Sequence, residues 1–530
     1  MYLRCLSNQF VFDDHEMIVL NRQIGRWSFL WKSFAHDSWW FRDPAHLPQS
    51  SYYRPLQDVW LGLNYHLFGL APAGWHVTMV MLHLAALYLV LKIALLLCSN
   101  RWAALSAVIL FGLLPVHAEA VVWPAAVPLP LAAVFELAAF YLLIRRKAQP
   151  RWRRFVLPGA LFAAALLSHE SAVAFPALVA AYGFLMKTPH PQPLPRRPQE
   201  DAPADSWESD RPGLRRSVML AAPFMVETAL YLALRMLVLG FISRPNPVNH
   251  ATTIEALMTI PNVLVKDFAL LAIPWDAGPS HRLLLVRHPD AANFYLPLAA
   301  LLALVCAAVI GLGALPRQQR KFYMFCIAWM LFGVAPMLNL TGLFALALVQ
   351  DRYLYLASMG WCLMLGEALV GSTRRLGFHR STAALAASAL AGACALSLWS
   401  VQRFWHDEVA LFTQCVRAFP QSALWHNRLG MAFEARGNPV QAERELATAN
   451  RLDPQDGATL FDLGVVHAWM GHKAEAAREI DAALKRLPNA PPAAYLMLAR
   501  LYREAGDRER AAAAMAHVPA PLAGATPGVK

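Results

Sequence analysis

The sequence predicts an all-α protein, with a polytopic membrane helix bundle followed by a C-terminal α-solenoid. The chain of 530 residues is 57% hydrophobic and only 15% charged, which is too apolar for an ordinary soluble protein. Apolar runs long enough to cross a bilayer recur as far as residue 402. Beyond residue 403, an Ala-, Glu- and Arg-rich helical pattern repeats every 34 residues.

Residues 1–73 form the predicted first outer segment, which precedes the spans. It contains "FVFDDHEMI", "SWWF" and "SYYRPLQDVW", and Tyr and Trp at this density are typical of a membrane interface. Asp13, Asp14 and Arg54 are the groups in it able to act on a phosphate-linked or hydroxyl substrate. The alternative is an Asp13–Arg54 ion pair that only holds the segment in place.

Residues 74–402 form the predicted transmembrane domain, with about ten spans. Most of these spans have roughly the 17 to 25 residues that cross a bilayer, and two are shorter. Residues 155–186 indicate two shorter spans that meet at "SHES", and residues 254–274 indicate an interfacial or re-entrant helix because Pro261 and Lys266 interrupt them. The other predicted spans are 74–97, 102–118, 128–145, 217–240, 294–314, 322–340, 351–370 and 381–402.

The basic residues predict the orientation of the bundle. The formal net charge of +12 arises largely from loops between spans, where Lys and Arg mark the cytoplasmic side. Nucleic acid is therefore not an expected partner, whereas membrane lipids are. An even number of spans puts residues 1–73 and the C-terminal domain on the outer side. The basic loops are 145–154, 187–216, 317–321 and 373–380.

Residues 403–520 form the predicted tetratricopeptide-repeat domain, and 521–530 a disordered tail. Such repeats leave a concave surface suited to peptides or protein partners. A third repeat, shifted by one residue, and a preceding half-repeat at 404–420 complete the array. The positions that recur 34 residues apart are Leu429 and Leu463, Gly430 and Gly464, Gly437 and Gly471, Ala442 and Ala476, and Pro454 and Pro488.

Other ionisable residues lie at the ends of spans. His117, Glu119 and Glu170 are near the membrane, where ionisable groups are costly enough to indicate function. The alternative is that they form hydrogen bonds that tie helices together. His76 and His83 are more typical of helix packing than of metal ligands, and the sequence shows neither metal-ligand spacing nor a disulfide framework.

A succession of motifs makes the chain similar to a known family. "FVFDDHEMI", "YRPL", "GWHVTMVMLH", "LLPVHAEAVVW", "LLSHESAVAFP" and "DRYLYLASMG", followed by the repeats, occur in that order. They resemble the transmembrane and tetratricopeptide repeat family, which is similar to the GT-C superfamily of glycosyltransferases that includes protein O-mannosyltransferases.

The resemblance implies an enzyme that moves a sugar from a polyprenyl-phosphate carrier to an acceptor, such as a protein Ser or Thr hydroxyl, on the outer face. It implies that Asp13 or Asp14 is the general base, and a positioned base contributes about 10²- to 10⁴-fold. Arg54 and Arg352 are the candidates for the lipid phosphate, because a planar guanidinium suits phosphate oxygens. The repeats would recruit the acceptor.

The sequence shows no P-loop and no dinucleotide-binding glycine fingerprint, so the expected energy source is the lipid-linked sugar rather than ATP. The sequence demands no cofactor. A divalent metal near the acidic pair stays an open alternative, although nothing in the residue spacing requires one. The Ala-, Leu-, Arg- and Pro-rich composition favours a bacterial inner membrane, with the repeats in the periplasm.

The chain also departs from the family pattern. Only nine residues precede the "FVFDD" stretch, where the family has a hydrophobic span, so a missing first span is expected. Polar family positions are occupied by Met79, Leu114, Val127 and Leu129, and a family Lys by His169. Two alternatives therefore stay open: the chain is a divergent or inactive member of the family, or it is a non-catalytic scaffold for envelope assembly. A transporter is the third alternative, but here the ionisable residues concentrate at the ends of spans.

Overall fold

The computed structural model describes residues 1–42, 50–145, 153–186, 213–244, 251–343, 346–375, 380–487 and 490–519. The chain divides into two compact units, residues 1–406 and residues from 407 onward. Both are helical, and no strand occurs in the ranges described, so the all-α prediction is confirmed. Most of the basic loop residues, Pro488 and the predicted tail lie outside the described residues.

The described residues of the first unit form fourteen α-helices. Several begin with Pro in the first turn, as in α2, α3 and α6, because an N–H there would have no partner inside the helix. The helices are α1 Trp27–Lys32, α2 Pro55–Phe68, α3 Pro72–Leu97, α4 Arg101–Leu113, α5 Ala118–Val122, α6 Pro128–Ile144, α7 Arg153–Ser168, α8 Phe175–Leu185, α9 Gly213–Leu239, α10 Thr253–Ala272, α11 Leu296–Gly313, α12 Arg317–Val334, α13 Ser358–Arg375 and α14 Arg380–Val401.

Six stretches of helix in the described part of the chain are long and apolar enough to cross a membrane, or seven if the bent pair α4 and α5 counts as one span. Three shorter apolar helices lie at 154–168, 170–185 and 358–371. The predicted count of about ten spans stays a prediction. The six stretches are Pro72–Leu97, Pro124–Ile144, Gly213–Leu239, Ala291–Gly313, Arg317–Leu338 and Ala384–Trp405.

Two predicted spans differ from the structure. The span at 102–118 bends by 52° between α4 and α5, because Pro115 lacks an N–H and holds Leu114 in an extended conformation with ψ of 123°. The span at 351–370 begins later, at Ser358, because Asp351–Leu354 forms a separate 3-10 turn. This turn keeps Arg352 outside the helix.

Buried aromatic rings pack the helices of the first unit against one another. Phe140 of α6 contacts Tyr182 of α8 and Phe325 and Trp329 of α12, with ring centroids 5.1 to 6.1 Å apart. All four side chains are at most 1% exposed. This packing holds α6, α8 and α12 together as one bundle.

The second unit contains seven α-helices in the described residues, arranged as antiparallel pairs that agree with the predicted repeats. A Cβ on Gly430 would lie 2.6 Å from Leu446, and one on Gly464 would lie 2.7 Å from Ile480. Glycine therefore permits the same close helix contact in successive repeats. The helices are α15 Glu408–Ala418, α16 Ala423–Ala435, α17 Pro439–Leu452, α18 Gly457–Trp469, α19 Lys473–Leu484, α20 Pro492–Glu504 and α21 Arg508–Met515.

Candidate active site

A cavity of about 140 Å³ lies in the first unit, beside the start of α6 and the turn after α12. Its wall also includes residues of the N-terminal segment and of the start of α2. The turn between α7 and α8 and the 3-10 turn before α13 complete it. Four of the seven predicted site residues line it. The polar side chains of the lining are Asp13, Ser38, Tyr52, Arg54, Gln57, His169, Glu170, Arg352 and Tyr353.

The two adjacent carboxylates have different surroundings. Asp14 is fully buried, and its oxygens accept hydrogen bonds from the backbone N–H groups of Val11 at 3.0 Å and Ala125 at 2.8 Å. Asp13 is partly exposed and lines the cavity. Asp14 therefore fastens the segment to the turn before α6, whereas Asp13 is the member of the pair that a substrate can reach.

The backbone at Phe12 precedes this pair and is strained. Its φ of 54° is positive, a conformation that a bulky residue adopts at a cost of order 1–3 kcal/mol. The Phe12 ring lies 5.9 Å from that of Trp123, and the Trp123 indole donates a 3.3 Å hydrogen bond to the Val11 carbonyl. Trp123 thus holds a turn that directs two neighbouring carboxylates to different places.

Arg54 pairs with Glu170 through two parallel hydrogen bonds. Its Nε and Nη2 donate to the two carboxylate oxygens at 2.8 and 2.6 Å, and its guanidinium lies 4.3 Å from the Tyr52 ring centroid. Burial alone would lower the pKa of Arg54, but the Glu170 carboxylate raises it, so the guanidinium stays charged. The partner that the structure gives to Arg54 is therefore Glu170, rather than the Asp13 considered from the sequence.

Arg352 is held in a similar way by Glu119. The Glu119 carboxylate is 1% exposed; it accepts the Arg352 backbone N–H at 3.0 Å and also contacts the guanidinium. Burial lowers the pKa of Arg352, but the charges of Glu119 and, more weakly, Asp13 raise it. Asp13 is therefore electrostatically coupled to Arg352 across the cavity wall that they share.

The 3-10 turn that carries Arg352 is anchored at its first residue. Asp351 is fully buried, accepts the Gly278 N–H at 2.7 Å and lies 2.7 Å from His281 Nε2. Burial raises the pKa of the following Tyr353 to about 12, so its phenol stays neutral. The turn thus presents one cation and one neutral hydroxyl to the cavity.

Two cavity residues were missed by the sequence reasoning. Ser38 and Gln57 are 3% and 2% exposed, and Ser38 Oγ and Gln57 Oε1 have no hydrogen-bond partner among the described residues. Neutral polar residues give no charge pattern to search for, but Gln57 follows Arg54 by three positions, a spacing that places both on one face at a helix start. Buried polar atoms without partners are costly, and a ligand in the cavity would satisfy them.

His169 also lines the cavity. Its Nδ1 accepts the Ser171 backbone N–H at 3.1 Å and lies 2.9 Å from the Ser171 hydroxyl. An Nδ1 that accepts a hydrogen bond leaves the ring proton on Nε2. His169 therefore presents a neutral N–H donor, rather than the cation that the sequence resemblance implies for this position.

Three predicted site residues are absent from the described lining of the cavity: Asp14, Glu119 and His117. The first two support Asp13 and Arg352 as set out above. His117 is fully buried, with Nε2 2.8 Å from the Ser358 hydroxyl and its ring 4.7 Å from that of Tyr355. This contact fits the hydrogen-bonding alternative for His117.

A second, apolar cavity of about 600 Å³ lies among α10, α11 and α12. Its wall includes Leu354, the residue after Tyr353, and Val334 at the end of α12. Asp267 and Tyr323 are the only residues with polar side-chain groups in its described lining, which otherwise consists of Leu, Val, Ala, Ile, Met, Phe and Gly. The cavity is therefore mostly apolar, and it adjoins the polar cavity where Leu354 follows Tyr353.

The described part of the polar cavity contains no cluster of three His, Cys, Asp or Glu ligands close enough to hold a metal ion. It offers the Asp13 carboxylate, the Glu170 carboxylate that pairs with Arg54, two guanidinium groups and several neutral hydrogen-bonding groups. A carboxylate can accept a proton, and guanidinium groups can bind an anion such as phosphate.

Comparison with known proteins gives consistent relatives. Protein O-mannosyl-transferase Tmtc3 of Drosophila melanogaster is 27% identical to this chain, over 91% of this chain and 57% of its own length. Protein O-mannosyl-transferase TMTC3 of Mus musculus is 24% identical over 93% of this chain and 54% of its own length. Protein O-mannosyl-transferase Tmtc1 of Drosophila melanogaster is 31% identical, but over only 33% of this chain and 20% of its own length.

The chain spans about half the length of the curated relatives that it matches along most of its own length. No protein-family model matches it. The resemblance that the motifs predicted is confirmed by these relatives, whose names all describe protein O-mannosyl-transferases.

Proposed function

We propose that this chain, like the relatives whose names describe protein O-mannosyl-transferases, is a membrane glycosyltransferase. It takes a sugar from a polyprenyl-phosphate carrier and transfers it to a hydroxyl of a protein acceptor. The observation that carries the proposal is the shared cavity, in which Asp13 lies with Arg54 and Arg352 while each guanidinium keeps its own supporting carboxylate.

In this reaction Asp13 removes the proton of the acceptor hydroxyl as its oxygen attacks the anomeric carbon of the sugar. The bond from that carbon to the phosphate oxygen breaks, and the electron pair leaves with the lipid phosphate. Arg54 and Arg352 stabilise the charge that develops on this leaving group. Each has five N–H donors, so one carboxylate partner leaves donors for phosphate oxygens.

The neutral groups of the cavity suit the sugar. Ser38 Oγ and Gln57 Oε1 are buried without partners, and sugar hydroxyl groups can donate to and accept from such atoms. Trp39 and Trp123 also line the cavity and give apolar faces against which a pyranose ring can pack. The apolar cavity among α10, α11 and α12 is proposed to take the polyprenyl chain.

The orientation follows from the basic residues. Helix α6 begins beside the cavity and ends next to Arg145, and the helix that ends beside the cavity at Leu338 begins at Arg317. These arginines are therefore at the far ends of their helices, the end that the positive-inside rule assigns to the cytoplasm. We accordingly propose that the reaction occurs on the outer face, in a bacterial inner membrane. The repeats are proposed to lie in the periplasm and recruit the acceptor.

Transfer of labelled mannose from a polyprenyl-phosphate donor to a pool of envelope proteins tests the proposal, with the full chain purified in detergent. Asp13→Asn is expected to lower the rate by about 10²- to 10⁴-fold without changing the elution profile or the thermal unfolding midpoint. Asp14→Asn, the matched control, loses a buried charged acceptor and is expected to lower that midpoint. Full activity of Asp13→Asn would contradict the role of Asp13, and absence of transfer by the parent from any donor would favour the scaffold alternative.

The sugar contacts are tested separately. Ser38→Ala is expected to raise the KM for the donor about tenfold, which corresponds to one lost hydrogen bond. Ser33→Ala is the matched control, because the buried Ser33 hydroxyl donates to the Phe29 carbonyl at 2.7 Å and is absent from the described lining of the cavity. An unchanged KM in Ser38→Ala would remove Ser38 from the site.

A further inference from the structure

The turn between α18 and α19 brings three metal-binding side chains together in the repeat unit. His467 lies in the last turn of α18, His472 is the N-cap residue of α19, and Glu475 lies in the first turn of α19. One donor atom from each lies within 4.8 Å of those of the other two. The sequence showed no metal-ligand spacing here, because the contact depends on how sharply the chain turns.

The backbone between α18 and α19 makes a tight turn. Gly471 has a φ of 89°, a conformation that glycine adopts without strain, and the His472 N–H donates to the His467 carbonyl at 2.9 Å. These features return the chain at once toward the end of α18. The backbone therefore fixes the spacing of the three side chains before any ion binds.

Carboxylates support His467 from the neighbouring helices. Its Nδ1 lies 2.6 Å from Glu479 and its Nε2 lies 3.5 Å from Glu443. Histidines that bind metals usually donate their other ring N–H to a carboxylate, which fixes the ring and strengthens the ligand. Glu479 provides this contact, and it leaves Nε2 as the nitrogen available to an ion.

The charge of the surroundings also suits a cation. Glu443, Glu475 and Glu479 all lie near His467. Lys473, which follows His472 in the sequence, pairs with Glu504 at 2.8 Å. His472 and Glu475 are exposed, so their side chains have room to rotate toward His467 and close a tetrahedral site.

We propose that His467, His472 and Glu475 bind a first-row transition-metal ion, with Zn²⁺ as the expected occupant. Two imidazoles and a carboxylate favour zinc and its neighbours over Mg²⁺ and Ca²⁺, which prefer oxygen ligands alone. The fourth position is open to water or to Glu443. The ion links the end of α18 to the start of α19, and it does so independently of any sugar transfer.

Zinc binding to the full chain tests the proposal. The protein is purified through a tag that contains no histidine, stripped with a chelator and titrated with Zn²⁺ against a chromophoric competitor. The parent is expected to bind one ion more per chain than His472→Ala or Glu475→Gln, each of which should lose more than about 100-fold in affinity. Both residues are exposed, so neither variant is expected to unfold the repeat.

His517→Ala is the matched control, because His517 is an exposed histidine of the same unit outside this cluster. It is expected to keep the parent's affinity. Hydrogen exchange gives a second readout: Zn²⁺ should slow exchange of the peptide that spans the turn in the parent but not in His472→Ala. Equal zinc binding by the parent and His472→Ala, or an equal loss in His517→Ala, would overturn the proposal.

Discussion

The polar cavity of the first unit and the surface of the repeat unit use charged residues in opposite ways. In the cavity, Arg54 pairs with Glu170 from 116 positions away, and Arg352 pairs with Glu119 from 233 positions away. In the repeats, Lys485 pairs with Asp481 only four positions away and is exposed. A distant, buried pair depends on the whole fold, whereas a local, exposed pair depends on one helix. The energetic consequences of removing a charge should differ accordingly.

Glu119→Gln is expected to have the largest effect. It leaves the Arg352 guanidinium without its buried carboxylate, and removing one partner of a buried pair costs about 3 kcal/mol or more. Because Arg352 also loses its orientation, we expect transfer to fall by about 10²- to 10³-fold. The thermal unfolding midpoint and the transfer rate of the full chain measure the two effects.

Glu136→Gln is the control for this variant. Glu136 is also a buried carboxyl, 4% exposed, but the described structure assigns it no hydrogen bond or ion pair. Replacing it with Gln should leave the unfolding midpoint nearly unchanged, because a buried carboxyl without a charged partner is expected to be neutral and the substitution removes no ion pair. If both variants lowered the midpoint equally, burial alone would explain the loss and the Glu119–Arg352 pair would have no special role.

Arg54→Lys is expected to have the next largest effect. Lysine keeps the charge but cannot reproduce the two parallel hydrogen bonds to Glu170, and a hydrogen bond to a charged group contributes about 1.5–3 kcal/mol. We expect the KM for the lipid-linked donor to rise roughly tenfold or more. Steady-state transfer at varied donor concentration measures it.

Arg22→Lys is the matched control, since Arg22 is an exposed arginine of the same N-terminal segment and is absent from the described cavity lining. It should behave as the parent. A parent-like KM in Arg54→Lys would mean that charge alone, without the planar geometry, is what the cavity requires.

Gly464→Ala tests the packing that the repeats share. A Cβ at this position would lie 2.7 Å from Ile480 and 3.3 Å from the Ala476 carbonyl, and such overpacking costs about 1–3 kcal/mol. Hydrogen exchange in α18 and α19 should accelerate by roughly 5- to 150-fold, the factor that corresponds to this range.

Ala474→Ser, at an exposed position of α19, is the control and should leave exchange within a factor of about two, because surface substitutions usually change stability by less than 0.5 kcal/mol. Unaltered exchange in Gly464→Ala would mean that the two helices can separate without cost, and that the small residue is not required for their contact.

The difference between local and distant contacts also determines how much of the structure the sequence could predict. The repeats were recognisable because each contact is local, so that Gly430 and Gly464 recur with the period of the structure. Asp13 and Arg352 were identified through family motifs, and both line the cavity. The partner of Arg54 was not predictable, because choosing Glu170 over Asp13 depends on the three-dimensional path of the intervening residues.

Ser38 and Gln57 show a second limit. Their importance rests on polar atoms that lack partners in the folded chain, and a sequence does not show which polar atoms will be buried. The bend at Pro115, in contrast, follows from local chemistry. Hydropathy alone does not show this bend, because the residues on both sides of Pro115 are apolar.

Lys485→Ala is expected to have the smallest effect and completes the comparison. The Lys485 ammonium donates to Asp481 at 2.6 Å, a distance as short as that between Arg54 and Glu170, but the lysine side chain is 74% exposed. Water and salt screen an exposed pair, and holding two long side chains in place costs entropy. The exchange rates of α19 should therefore be unchanged within error, at low and at high salt. An acceleration of exchange as large as that expected for Gly464→Ala would show that distance, rather than burial, determines the contribution of an ion pair in this chain.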